Sequence, residues 1–243
     1  MRILSKASGI ATAVALTFCA AGCARLLPWR GQVAAPEINL AFTMERNLIE
    51  LQTVQIDGRP GRFLLGSAAP TTVLDPTYAA AGTHTVHISE KETMRINPVS
   101  LDLGGIADGI IGADVWTNRA ISIDYRSGLV TYQTAGFEAS LMQIYRFEAE
   151  PRILVNVNGE DVPAVVDTTS PDTLVLPSTN NGRGTARIVI AGIDFGTTDV
   201  RYANVARARV GNRLLSRFLV TIDYGKKVVG LWRDPRISIT PQT

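Results

Sequence analysis

The chain repeats itself, and self-similarity constrains a fold more tightly than any local signal. Laying Gly58 on Gly159, an offset of 101 residues, matches Val54-Gln55-Ile56-Asp57-Gly58 with Val155-Asn156-Val157-Asn158-Gly159. Pro70, Thr72 and Pro76 then fall on Pro171, Thr173 and Pro177 without a gap. A second block, offset by 99, sets Gly112-Ala113-Asp114-Val115-Trp116 against Gly211-Asn212-Arg213-Leu214-Leu215, and Ile121-Ser122-Ile123-Asp124-Tyr125 against Val220-Thr221-Ile222-Asp223-Tyr224. Two collinear blocks with two residues of drift between them are what a duplicated unit leaves after a loop deletion.

Within each copy the local signals are those of strands. Asp57-Gly58 and Asn158-Gly159 are strong hairpin signals, because both dipeptides tolerate positive φ in a two-residue turn. Before the second turn, Val155 and Val157 alternate with Asn156 and Asn158, a period of two that buries one strand face. After the turns, Arg62-Phe63-Leu64-Leu65 and Ala164-Val165-Val166 are short and apolar, as in strands covered on both sides. Ala120 to Tyr132 and Phe218 to Trp232 each predict a hairpin, turning at Arg126-Ser127-Gly128 and Gly225-Lys226-Lys227. Helix is expected only in short stretches, from Ala113 to Asn118 and from Asn212 to Arg217.

These elements have a recognisable order. An Asn-Gly hairpin leads to an apolar strand and to Asp167-Thr168-Thr169-Ser170; later come a Gly-apolar-apolar-Gly segment, Gly109-Ile110-Ile111-Gly112 in the first copy, and an Asp-Tyr strand. The set resembles the retropepsin-like (clan AA) aspartic peptidase family, in a fused two-lobe form with a degenerate first active-site loop. The resemblance implies an all-β fold: two tandem retropepsin/pepsin-like acid-protease β-barrel lobes related by pseudo-two-fold symmetry. It divides the chain into a lipoprotein-type signal peptide (1–22), a tether (23–47), lobe 1 (48–134), an inter-lobe linker (135–151), lobe 2 (152–234) and a tail (235–243). The family's flaps would lie from about Ala79 to Asp102 and from Ser178 to Thr197.

In this family each lobe brings one Asp on a tight loop, and the resemblance carries over residue by residue. Asp167 falls on the catalytic Asp, Thr168 on the Thr that braces the loop, and Thr169 on the family's Gly. In the first copy the partner loop is degenerate: Gly66 stands for the Asp, Ser67 for the Thr and Ala68 for the Gly. Gly112 and Gly211 close the structural segments that thread beneath the two loops. In the second of these, Ala208-Arg209-Val210-Gly211, Arg209 takes a normally apolar position. Peptide hydrolysis on such a site needs one carboxylate to accept a proton from water while a protonated partner donates one to the carbonyl oxygen. Asp167 facing Gly66 has no such partner. With general acid–base assistance contributing about 10²- to 10⁴-fold, a single-Asp site is expected to be slow or dead.

The expected function is therefore that of an envelope-anchored pseudo-peptidase that binds extended peptide or protein segments in the inter-lobe cleft by strand addition. The alternative is an active aspartic endopeptidase using Asp167, either by homodimerisation that joins two such loops or with Ser67 holding water. A third reading is a purely structural envelope scaffold.

The N-terminus addresses compartment. Met1-Arg2 and Lys6 give a basic start, Ile10 to Ala21 is apolar but too short to span a bilayer, and Ala20-Ala21-Gly22 is a small-residue cleavage context. Ending it at Cys23 resembles a bacterial lipoprotein signal, with Cys23 the lipidated first residue and a periplasmic, lipid-anchored protein, outer membrane included, as the expectation; an ordinary signal cut near Ala24 is the other. Both cysteines precede Ala24, so disulfides and cysteine metal sites are excluded from the mature domain. A net charge of +2 and a pI near 8.6 point away from nucleic acid. The partners expected are a peptide or protein segment and the membrane. No cofactor or metal is expected, since His84 and His87, three apart on a strand, face opposite ways. Asp124 and Asp223 read as turn or strand-end residues.

Overall fold

Asp57-Gly58 and Asn158-Gly159 turn the chain with φ of 52°, 74°, 53° and 96°, the left-handed conformation that these residue types reach at least cost. The first turn joins β3 (Gln55–Ile56) to β4 (Arg59–Pro60), and the second joins β14 (Arg152–Val157) to β15 (Glu160–Val166). The computed structural model describes residues 37–90, 92–117, 119–132 and 141–235. The signal peptide, Cys23, most of the tether and tail, and residues 135–140 of the linker lie outside them.

Before β3 stand β1 (Ile38–Glu45) and β2 (Leu48–Leu51). The first half continues with β5 (Phe63–Leu65), β6 (Val73–Leu74), β7 (His84–His87), β8 (Thr93–Ile96), β9 (Val99–Ser100), β10 (Gly109–Ile111), β11 (Ala120–Asp124) and β12 (Leu129–Tyr132). The second half holds β13 (Gln143–Arg146), β14 and β15, β16 (Leu174–Pro177), β17 (Gly182–Ile190), β18 (Ile193–Ala203), β19 (Ala208–Val210), β20 (Leu219–Asp223) and β21 (Val228–Trp232). Helix among the described residues amounts to a 3₁₀ turn, Ala113–Val115, one α-helical turn, Asn212–Leu215, and Leu141 in 3₁₀ conformation.

Among the described residues three sheets result. Eleven strands run in the order β13-β21-β20-β11-β12-β1-β2-β5-β10-β6-β9, six close into the barrel β14-β15-β19-β16-β18-β17, and β4-β3-β7-β8 form a smaller sheet. In the first half β10 lies parallel to β5 and antiparallel to β6. In the second, β19 lies parallel to β15 and antiparallel to β16. The halves are sewn together by β11 and β20, whose register sets Ser122 opposite Thr221, with their hydroxyl oxygens 2.8 Å apart. One apolar core, from Leu40 and Trp116 to Val210 and Leu231, draws on both halves.

Two boundaries differ from the sequence reading. The tether does not extend to residue 47: Ile38–Glu45 is strand β1, paired with β12 and β2, and Leu40 and Phe42 are buried in alternation. Within the span read as linker, Gln143–Arg146 is strand β13 on the edge of the large sheet, paired with β21. Gln143–Arg146 carries too few alternating apolar residues to announce a strand without the neighbour that covers it, whereas Ile38, Leu40, Phe42 and Met44 alternate with Asn39, Ala41, Thr43 and Glu45 in the period of a strand that the tether reading passed over.

Candidate functional site

The two loops that the repeat makes equivalent start where parallel strands end. β5 delivers Leu65 to Gly66-Ser67, and β15 delivers Val166 to Asp167-Thr168. The Gly66 N–H donates to the Ile111 carbonyl at 2.9 Å, and the Asp167 N–H to the Val210 carbonyl at 2.9 Å. The loops then close in the same way, Ala69 N–H to Gly66 O at 3.2 Å and Ser170 N–H to Asp167 O at 3.1 Å.

They also grip each other. The Ser67 N–H donates to Thr168 Oγ1 at 2.9 Å, while the Thr168 N–H donates to Ser67 Oγ at 3.0 Å. Each hydroxyl then donates across the junction, Ser67 Oγ to the Val166 carbonyl at 2.6 Å and Thr168 Oγ1 to the Leu65 carbonyl. Both residues are buried, at 1% and 0% exposure, so four bonds that water cannot replace join Gly66's loop to Asp167's. Two tyrosines brace the junction crosswise. Tyr224 donates to the Ser67 carbonyl at 3.0 Å; Tyr125 donates to Asn212 Oδ1 at 2.9 Å, and the Asn212 amide donates to the Thr168 carbonyl at 2.7 Å. Burial pushes both phenols far up, which keeps them neutral donors.

Gly112 and Gly211 allow the threading segments to approach. A Cβ on Gly112 would lie 2.5 Å from the Thr71 carbonyl carbon, and one on Gly211 would collide with the Asp172 and Ser170 carbonyl oxygens. The contacts are with backbone, which cannot step aside cheaply.

Asp167 is 2% exposed and both its carboxylate oxygens are taken. Oδ1 accepts from the Thr169 N–H at 2.9 Å and from Thr169 Oγ1 at 2.6 Å. Oδ2 accepts from Arg209 Nη1 at 2.7 Å. Thr169 does its work outside the left-handed region, so a β-branched residue is accommodated where a Gly was expected, and its hydroxyl adds a bond that a Gly lacks. On the other loop Ala68 is half-buried and Gly66 has no side chain. A Cβ placed on Gly66 would run into Cγ2 of Ile110, the residue equivalent to Arg209. In one half the threading strand aims a methyl group at the site position; in the other it aims a guanidinium.

The structure thus brings together Asp167, Thr168, Thr169, Gly66 and Ser67, with Gly112 and Gly211 behind them. What the sequence reading missed is that Arg209, noted only as an oddity on an apolar position, is the counter-ion of Asp167. The signal was available in the 99-residue offset, since Ile110 and Arg209 occupy the place nearest the carboxylate. Asp124 and Asp223 cap turns, accepting from the Arg126 and Lys226 N–H groups at 2.9 and 2.8 Å. Among the described residues no cluster of three or more His, Cys, Asp or Glu side chains could hold a metal ion.

No family model matches the chain, and no curated protein matches it in sequence. Among solved structures it is similar to the aspartic proteinase from Irpex lacteus, with a TM-score of 0.58 and 12% identity over 85% of this chain and 100% of that one. At that identity the likeness speaks for the architecture, and the fold of this chain is that of an aspartic proteinase.

Proposed function

We infer that the chain is a pseudo-peptidase: two retropepsin-like lobes related by a pseudo-two-fold axis, with a cleft that binds extended peptide or protein segments without cutting them. The single observation that carries the reading is the Asp167–Arg209 pair. Acid–base hydrolysis requires a carboxylate with a free oxygen to take a proton from water, and a second acid opposite it. Here one oxygen is capped by Thr169, the other is engaged by a guanidinium that carries no transferable proton at working pH, and the opposite position is Gly66 backed by Ile110. The lobe symmetry is supported by Ser122 lying opposite its repeat mate Thr221 and by the matched bonds of the two loops.

The active alternative through homodimerisation is disfavoured by the grip. Asp167's loop already has its partner, the Ser67 loop of the same chain, and a second Asp167 could enter only by breaking four buried hydrogen bonds. Lipid attachment at Cys23 and a periplasmic, outer-membrane location belong to the same proposal. They are tested by mass spectrometry of the mature N-terminus, where an unmodified residue overturns the anchor.

The test of activity is incubation of the full-length chain with unfolded casein at acid and neutral pH. The expected result is intact casein with the parent and with Asp167→Asn alike. Pepstatin-sensitive cleavage that disappears in Asp167→Asn overturns the reading.

A further inference from the structure

Resting on the reading of the cleft as a segment-binding site, we propose that it selects acidic segments through a row of three arginines, Arg209, Arg201 and Arg183, that begins at Asp167 and crosses the second barrel. The registers make the row. Val175 of β16 stands opposite Arg209 of β19 on one side and opposite Arg201 of β18 on the other, and Arg201 stands opposite Arg183 of β17. Residues paired in register project from the same face of a sheet, so the three side chains share one face. With strands about 4.8 Å apart, the row is about 14 Å long.

Two of the guanidinium groups are oriented by the site loop itself. Arg209 Nη1 bonds Asp167 Oδ2 at 2.7 Å, and Arg201 Nε bonds Asp172 Oδ2 at 2.6 Å. Each bond uses one donor of a fork that carries five, and the side chains remain 44% and 40% exposed. The remaining donors are therefore fixed in direction and open to a ligand. Arg183 is exposed and forms no ion pair among the described residues. It directly faces Arg201, an arrangement in which like charges oppose each other. Among the described residues the nearest carboxylate on that face without an ion pair, Asp199, is displaced by two residues along β18 and stands opposite Thr185, so a ligand carboxylate placed between Arg183 and Arg201 would relieve their opposition directly.

The spacing selects the ligand's form. An extended chain presents alternate side chains on one face about 6.6 Å apart, so two such steps cover about 13 Å, nearly the length of the row. The arginines are spaced unevenly, about 9.6 Å from Arg209 to Arg201 across Val175 and about 4.8 Å from Arg201 to Arg183, so a strand-like segment with Glu or Asp at alternate positions matches the row at its ends, and the long arginine side chains reach the carboxylate between them with the paired N–H groups of a fork.

The probe is a fluorescein-labelled peptide, Ser-Glu-Val-Glu-Val-Glu-Ser, compared by anisotropy with its Gln-for-Glu counterpart on the purified full-length chain at low salt. The Glu peptide is expected to bind about tenfold more tightly, and Arg183→Gln to weaken it about threefold. Arg183 supports no other group, so this variant keeps its fold. Arg201→Gln is expected to cost more, with its urea midpoint as the folding control. Equal binding of the two peptides overturns the acidic preference and leaves the cleft reading standing. Binding of neither overturns both. A preference for the Glu peptide that survives both substitutions removes the row as its cause. Arginine-dependent binding to phosphatidylglycerol vesicles with no peptide bound makes the row a lipid-facing surface and also overturns the proposal.

Discussion

Leu65 to Ala69 and Val166 to Ser170 follow the same backbone path, bond the same positions of β10 and β19, and end in the same turn. The side chains on that shared frame agree at the gripping hydroxyls, Ser67 and Thr168, and differ at the residue before them, Gly66 against Asp167. One loop has no carboxylate and has an isoleucine methyl filling the approach; the other has a carboxylate paired with an arginine. The comparison separates two demands that an active dyad combines. The grip, the threading glycines and the crossed tyrosines serve the junction of the halves and are intact. The two equivalent positions at the head of the loops differ: Gly66 makes room for Ile110, and Asp167 is bonded to Thr169 and Arg209. A second contrast lies further out: the second half closes into a six-stranded barrel, whereas in the first half β9 ends a sheet edge and β7 and β8 belong to a separate small sheet.

The comparison can be broken most severely at the threading glycines. Gly211→Ala is expected to destabilise the protein by about 3 kcal/mol or prevent folding, because its Cβ meets backbone oxygens; urea unfolding at full strength would show that the segment does not press on the loop. Thr168→Val should cost about 2 to 3 kcal/mol, since it strands the Ser67 N–H and removes the bond to Leu65 O in a buried place. A midpoint close to the parent's would mean that the halves cohere without the grip. Gly66→Ala should cost about 2 kcal/mol through Ile110, and adding Ile110→Ala should recover part of that loss, a coupling that independent sites do not show.

The smallest effect sharpens the contrast between the hairpins. At Asp57, whose repeat mate is the uncharged Asn158, His84 Nδ1 lies 2.6 Å from the carboxylate and Nε2 lies 2.9 Å from the Ala80 carbonyl. Two acceptors call for the doubly protonated ring. The hydrogen bond to Asp57 raises the His84 pKa, and the same bond lowers that of Asp57. The His84 contribution is complete below its unfolded value and lost as pH rises through the higher folded one; that of Asp57 is complete above its unfolded value and lost as pH falls. The pair therefore contributes fully between about pH 4 and pH 6.5, by about 0.5 kcal/mol at this exposed site. His84→Gln should flatten that part of the stability profile, and an unchanged profile would remove the pair from the account.

Much of this was legible in the sequence where local chemistry decides. The Asp57-Gly58 and Asn158-Gly159 turns are carried by residues that accept positive φ, and the loops were located by the repeat itself. Strand β13 was not legible, because its short Gln143–Arg146 segment is completed by β21 from a distant part of the chain, whereas the period-two alternation of Ile38, Leu40, Phe42 and Met44 in β1 was there to be read. The open sheet edge of the first half and the closed barrel of the second depend on hairpin lengths and registers that pattern does not encode. Arg209 shows the limit most plainly. A charge on an apolar position was visible, but its meaning required knowing that β19 runs beside β15 and ends at the carboxylate.

Asp167 is committed to Arg209, and a double-mutant cycle tests that pairing. Urea unfolding of the parent, Asp167→Asn, Arg209→Gln and the double variant should give a favourable coupling of about 1 to 2 kcal/mol, with the double variant costing less than the sum of the single ones. Strict additivity would mean that the carboxylate is not engaged by the guanidinium, and would leave Asp167 free to act.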